Sequence, residues 1–537
     1  MLTSMARPAR LLPLCALLAA VGVLVAPGPA AARQQPLGAS FRVIVLGRID
    51  SATFASLAER GAVGLLRPGF GPTTSRRSAL AELVRGAEVN ARLGGVPPGR
   101  PLIGVSKARV FPNCHMCIVL QLPPRGTSAN DRLYPIAVIG RNYHGLLTSP
   151  TTHIPGLVSI VDIAPTALGM GHAATSLSWT PAHGPLARLA SLGHAIDANN
   201  RLKFPVLFIL AGLLLVLALA GVRAAATAIP AALLVNLALG VAQVSNEVVL
   251  CAAVSAGTLL VALALARVCR GDGALLALFG GVVGLYALVM ATRPEWQAIN
   301  PFGPTQNSRF WGIGNQVETL LLAPLLAGAL LARRRFGLLG FALFGLFGLF
   351  VITDNRLGAD GGGAIVLGVA LAVLGTRLFR LGASGFVALL ASAALAVLWI
   401  VSRGLAQPGP DHLRSAFSHH GAGLLASLES RVPLSYLPAL HQWPLVVPLL
   451  CSLLAAFALA WRAAARQPAT RDLLLALAVG LVTSLLVNDS AAYELAAGLA
   501  VVGAFARFVP APAPARARVL APAKLEPERV ASDPPPS

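Results

Sequence analysis

"RLKFPVLFILAGLLLVLALAGVR", residues 201–223, decides the fold. After Arg201 and Lys203 the chain runs through 204–222 without a charged side chain. At 1.5 Å of rise per residue, about 20 apolar residues cross the hydrocarbon core of a bilayer. The stretch therefore reads as a first transmembrane helix, and the chain on its two sides differs in character.

Downstream the pattern repeats. Apolar stretches of similar length occupy 226–243, 248–266, 274–292, 315–332, 337–353, 363–381, 384–402, 444–462, 473–488 and 491–508, which makes about 11 helices in all. The whole-chain composition agrees, with 56% hydrophobic and 12% charged residues and a mean hydropathy of +0.72. Such a chain is a polytopic membrane protein. Its formal charge of +21 would suit a nucleic-acid partner. The arginines, however, sit at the ends of apolar runs, where they act as orientation signals, so no nucleic acid is expected. Arg so outnumbers Lys (only Lys107, Lys203 and Lys524) that an isolated Arg carries little meaning.

Upstream, Arg7 and Arg10, the apolar LLPLCALLAAVGVLVA and Ala30-Ala31-Ala32 have the order of an export signal, assigned to 1–32. Residues 33–201 lack long apolar runs and read as an exported α/β domain, at roughly 170 residues large enough to bury its own core. With that domain outside, the inner connections carry Arg223, Arg267/Arg270, Arg333-Arg334-Arg335, Arg377/Arg380, Arg462/Arg466/Arg471 and Arg516/Arg518. All are basic, as the positive-inside rule requires. The Pro/Ala-rich tail 509–537 is then cytoplasmic and reads as disordered.

The polar segments fall on the outer face. SRFWGIGNQ (308–316) offers Arg309, Gly312, Gly314 and Asn315 at a helix start, with Glu318 one turn on. It is either an anion site at a helix N-terminus or a self-satisfied turn. Asp354, Arg356 and Asp360 precede Gly361-Gly362-Gly363. Ionisable groups at this depth mark function unless they pair with one another. Asn488, Asp489, Tyr493 and Glu494 form a third knot, and the loop 403–443 holds His412, Arg414, His419, His420, Arg431 and His441. His419-His420 suits a general base, or else is solvated. No metal-ligand spacing and no GxxxxGK[ST] loop occur, so neither a metal, a cofactor nor ATP-driven transport is expected.

Arg309-x-x-Gly312-x-Gly314-Asn315, the Asp354-Asn355-Arg356 turn and the His/Arg loop resemble the layout of O-antigen ligases and envelope glycan polymerases. That resemblance, over roughly 309 to 443, implies a polyprenyl-linked donor held near Arg309, Arg356 and His419. The chain has Asp354-Asn355-Arg356-Leu357 where that family has Ser-Arg-Gly, and it lacks the proline beside Asn315. In the exported part, 41–69 and GLLTSPTTHIPGLVSIVDIAPTALGM (145–170) resemble alkaline-phosphatase-superfamily domains, with further strands at 117–124 and 133–142. The metal aspartates of that superfamily are missing after Val45-Leu46-Gly47-Arg48, and Thr73, Thr74 and Ser75 stand where its nucleophile would. The resemblance thus implies a degenerate, non-catalytic phosphatase-like fold. RFWGIGN and VNDS together with such a domain resemble a family of uncharacterised bacterial membrane proteins.

Cys114-x-x-Cys117 reads as a redox pair or a small structural disulfide in an oxidising compartment. Two classes of function fit these features. In a glycosyltransferase or ligase acting on a polyprenyl-phosphate-linked substrate, His419, His420 and Glu318 are the catalytic candidates. Arg309, Asn315, Arg356, Asp360, Asp489 and Glu494 would then bind substrate. In a transporter or flippase of an envelope precursor, Glu318, Asp360, Asp489 and Glu494 would bind protons or cations. A non-catalytic envelope scaffold is the third possibility. Membrane lipid is the expected partner throughout.

Overall fold

The structure is a computed structural model describing residues 40–69, 71, 73–86, 100–108, 114–169, 176–220, 224–304, 310–405, 440–465, 467–488, 490–505 and 508. The signal segment 1–32, Arg309, Asp489, His419, His420 and the tail 509–537 lie outside the described residues.

The N-terminal part is an α/β domain. Arg42-Val-Ile-Val-Leu46 (β1) is buried on both faces after its first residue, as a continuous apolar run in a covered sheet must be. It pairs in parallel with Val105–Ala108 (β4) and Cys117–Gln121 (β5). Tyr134–Ile139 (β7) runs antiparallel between β5 and Ala62–Arg67 (β2). Gly145–Thr148 (β8) and Leu157–Ser159 (β9) join β2 in parallel, and Ser178–Thr180 (β10) closes that edge against β8. The strands expected within 41–69, 117–124 and 133–142 are thus all present. Thr73–Ser75 (β3) pairs with Thr127–Ala129 (β6) in a separate ribbon. Cys114 and Cys117 form a disulfide.

Helix Pro185–Leu219 joins the two parts without interruption. Its 35 residues span roughly 52 Å. Its first turns cover β2, since Gly193 faces Leu65 and Leu189 reaches Gly156. Its second half enters the bundle core through Val206, Leu210 and Leu214.

Among the described residues, nine helices are long and apolar enough to cross a membrane. They carry exposed Val216, Leu260, Val387, Leu395, Trp399 and Leu454 on their outside, the reverse of a water-soluble surface. The eleven expected stretches map onto these nine and one shorter helix for two reasons. Asn315–Thr353, 39 residues in one run, holds two spans, because Gly337 leaves helical geometry at φ 68° and ψ −148°. The run folds back there: Gly348 faces Leu325, Gly328 faces Phe344 and Gly340 faces Ala332. These residues sit at matching distances on either side of Gly337, as in an antiparallel hairpin. The last span is the 15-residue helix Ala491–Phe505, which is almost entirely buried against Pro185–Leu219 and Trp443–Ala463. A helix enclosed by protein need not match the bilayer thickness.

The arginine-bearing connections gather at the Gly337 end. Arg334 pairs with Asp272 at 3.0 Å and Arg377 with Asp472 at 3.0 Å, while Arg333 donates to the Leu378 carbonyl. The opposite end faces the α/β domain and holds the polar segments. There the short helix Pro294–Ala298 does not span, and residues 297–304 are buried, with Gln297 and Asn300 1% exposed or less. Such backbone is tolerated at membrane depth only when enclosed by protein or lining a polar cavity. Asn236 helps hold it, accepting from the Phe302 amide at 3.1 Å and donating to Tyr286 Oη at 3.3 Å.

Candidate functional site

At the domain-facing end, helices Asn315–Thr353, Gly361–Phe379 and Ala491–Phe505 begin, and Pro468–Val487 ends. Three of the predicted carboxylates meet there, all buried: Glu318 and Glu494 are each 1% exposed and Asp360 7%. Each sits in or just before the first turn of its helix, where the positive end of the helix dipole favours an anion. Asp360 is the N-cap of Gly361–Phe379, accepting from the Gly363 amide at 3.0 Å.

Side-chain amides contact two of them. Asn488 Nδ2 donates to Glu318 Oε2 at 2.9 Å and to Ser484 Oγ at 2.9 Å. Asn315 Nδ2 donates to Ser490 Oγ and, at 3.5 Å, approaches Glu494 Oε1. The glycine run has a steric purpose. A Cβ on Gly363 would lie 2.7 Å from Glu318 Cγ and 2.9 Å from Asp360 Oδ2, and one on Gly362 would collide with Asn488 Oδ1. Side chains at 362 and 363 would occupy the space in which Glu318, Asp360 and Asn488 meet.

The described residues of this stretch, 310–316, pack closely against the Asp354–Asp360 turn. Gly312, at φ +83°, lies so close to the Gly358 carbonyl that no side chain fits, and the Ile313 amide donates to that carbonyl at 2.9 Å. Upstream, Trp311 meets His153 of the α/β domain edge to face at 4.5 Å. Phe310 packs into a cluster with Ile154, Leu157, Ile196 and Ile299. The segment therefore links the α/β domain to the Asp354–Asp360 turn.

Arg356 stands apart from the carboxylates. Its Nε and its amide both reach Asp354 Oδ1, at 3.3 and 2.9 Å, and its side chain is 46% exposed. It forms the local Asp–Arg pair that was the alternative to a functional role. Arg309, Asp489, His419 and His420 are outside the described residues, so the structure brings together Glu318, Asn315, Asp360 and Glu494 only. Sequence reasoning missed Ser484 and Ser490 as members; a serine near a helix end gives no signal of its own. No three His, Cys, Asp or Glu side chains stand at metal-ligand spacing among the described residues.

In the α/β domain the residues around Thr74 and Asp162 are tied into structure. Ser75 caps helix Arg76–Arg85 in a reciprocal pair with Ser78. Thr74 is buried, and its Oγ1 has no hydrogen-bond partner among the described residues. Asp162 accepts from Ser149 Oγ, from Thr151 Oγ1 at 2.7 Å and from the Thr151 amide at 3.3 Å. Burial pushes its carboxyl up to about 6 against these hydrogen bonds and the Arg67 charge, which act in the other direction.

The chain matches no family model, no curated protein and no solved structure.

Proposed function

We propose that this multi-pass protein carries an envelope precursor across or within the membrane, coupled to proton binding at Glu318, Asp360 and Glu494. One observation carries the reading: three carboxylates buried at one helix junction, two of them contacted by side-chain amides. Ionisable groups enclosed at a helix junction mark a functional site, and carboxylates this close to one another support proton exchange there. Protons are favoured because Asn488 and Asn315 turn their N–H groups, not their oxygens, toward the acids. Discontinuous helices meeting at a polar site are the usual architecture of secondary transporters.

The second reading is glycosyl transfer to or from a polyprenyl-phosphate-linked substrate, with Glu318 as the base and His419, His420 and Arg309 completing the site. The burial of Glu318 against the Asn488 side-chain amide, as a base held in place, favours it. Under either reading the α/β domain, a degenerate phosphatase-like module on its sequence, serves binding and not hydrolysis. It lies against the residues that begin helix Asn315–Thr353.

The two readings separate in reconstituted vesicles. With an imposed pH gradient, the native protein should redistribute a fluorescent polyprenyl-phosphate lipid, and Glu318→Gln should abolish the gradient dependence while keeping its melting temperature. Redistribution that ignores the gradient, or none at all, would reject the proton-coupled reading. Glycan transfer without a gradient would establish the second.

A further inference from the structure

Lys203 is 2% exposed in the bundle, on the first helix where it leaves the α/β domain. Its Nζ donates to the Gly303 carbonyl of the buried 297–304 segment. An ammonium has three N–H donors, and no carboxylate stands within ion-pair reach of this one among the described residues. An uncompensated buried cation costs far more than one neutral hydrogen bond returns.

The space beside it is polar. A cavity with room for about one water-sized group, partly open to the outside, is lined by Lys203, Asn199, Asn200, Asn300, Pro304 and Phe310. Asn199 and Asn300, 3% and 1% exposed, donate their Nδ2 groups to the carbonyls of Ala195 at 2.8 Å and Trp296 at 2.9 Å. Both Oδ1 atoms are buried with no donor among the described residues. The cavity walls thus hold one cation with donors to spare and two acceptors that need donors. Asn200 is only half-buried and gives the cavity its rim.

We infer that this cavity binds an anionic phosphate oxygen of a ligand that also carries a hydroxyl, either free phosphate or the head group of a phospholipid. The phosphate oxygen satisfies Lys203, and a P–OH or neighbouring alcohol donates to Asn199 or Asn300. The remainder of the head group lies at the Asn200 rim. Water satisfies the two amide oxygens but leaves the charge uncompensated; a phosphate does both. The site is separate from the carboxylate cluster and its chemistry does not depend on proton coupling.

The test uses the full-length protein, with no transport measurement, so it can fail or succeed independently of the proton-coupled reading. Thermal unfolding is followed in detergent with and without inorganic phosphate. It is then followed in nanodiscs of neutral lipid with and without polyprenyl monophosphate. Stabilisation by either phosphate source, weakened about tenfold or more in apparent affinity by Lys203→Met, is the expected result. Stabilisation only by the lipid assigns a head-group site, and stabilisation by inorganic phosphate alone assigns a free-anion site. If Lys203→Met does not fold, Asn300→Leu, which retains the Lys203–Gly303 contact, should weaken the same response. An unresponsive native protein, or equal stabilisation of native protein and whichever of the two variants folds, overturns the inference.

Discussion

Phe204 and Tyr493 stack with ring centroids 3.8 Å apart and planes 16° from parallel. Each is the chain neighbour of a buried ionisable residue, Lys203 on the first spanning helix and Glu494 on the last. The contact holds these two helices at one height near the α/β domain. Pro304, in the wall of the Lys203 cavity, also lies 3.5 Å from the Cβ position of Gly314, beside Asn315. The cation and the carboxylates therefore occupy adjoining compartments at one end of the bundle.

Replacing Tyr493 by Leu keeps apolar volume and removes the stacking. It should lower stability by about 1 kcal/mol, the usual value of an aromatic pair beyond its buried area. Phe204→Leu should cost a similar amount and the double variant little more. A double-mutant cycle on unfolding measures this, and strictly additive losses would mean that the rings do not act as a pair.

Gly362→Ala places a methyl group against Asn488 Oδ1 and should displace the amide from Glu318. Overpacking of this kind costs about 1–3 kcal/mol. Asn488→Ala in the same chain removes the obstacle, so the second substitution should cost less in the Gly362→Ala background than alone. Equal costs in both backgrounds would show that the glycine is not there for Asn488.

The spans were legible because about 20 uncharged residues in a row have few other structures open to them. Folding back at Gly337 was legible too, through the Arg333-Arg334-Arg335 break between two apolar runs. Grouping of Glu318, Asp360 and Glu494 was only half legible. The sequence put each at a helix start on one face of the membrane, but which helices adjoin is set by packing, which no local pattern encodes. Lys203 was hidden for a different reason. At the boundary of an apolar run it looks like any flanking cation, and only the burial of 297–304 against it reveals an enclosed charge. Gly312 misled in the opposite direction, since a glycine that admits a ligand and one that admits the Gly358 carbonyl read alike.

Asp162 gives the α/β domain a pH signature. Its folded carboxyl, near 6, lies above its unfolded value of 3.8, so the folded state binds the proton more tightly. The stabilisation is complete below about pH 4 and is lost as pH rises through 6. Two pKa units correspond to on the order of 3 kcal/mol. Unfolding monitored by hydrogen exchange of the strand amides should therefore show this domain gaining stability from pH 7 to pH 4. Asp162→Asn should flatten that slope, and an unchanged slope would place the titration elsewhere.

The arginines at the Gly337 end make a prediction about orientation. If those connections are cytoplasmic, a reporter fused after Arg335 reads as internal and one inserted within 405–440 as exported. Reversed labelling at both sites would invert the protein in the membrane and move the carboxylate cluster to the cytoplasmic side.

Trp311 joins the two parts of the molecule. It is 5% exposed, lies against His153 and is followed by the Gly312–Gly358 contact that holds the turn leading to Asp360. Truncating a buried Trp costs roughly 3–5 kcal/mol. In Trp311→Ala most of that loss should fall on the domain contact, because neither the sheet nor the spanning helices depend on this ring. The α/β domain should then melt apart from the bundle, and helix Pro185–Leu219 should become open to protease near its middle. Trp311→Phe keeps an aromatic edge for His153 and should recover most of the coupling. A Trp311→Ala protein that still melts in one step, with that helix protected, would show that the domain is held by the Ile154–Ile299–Phe310 cluster alone.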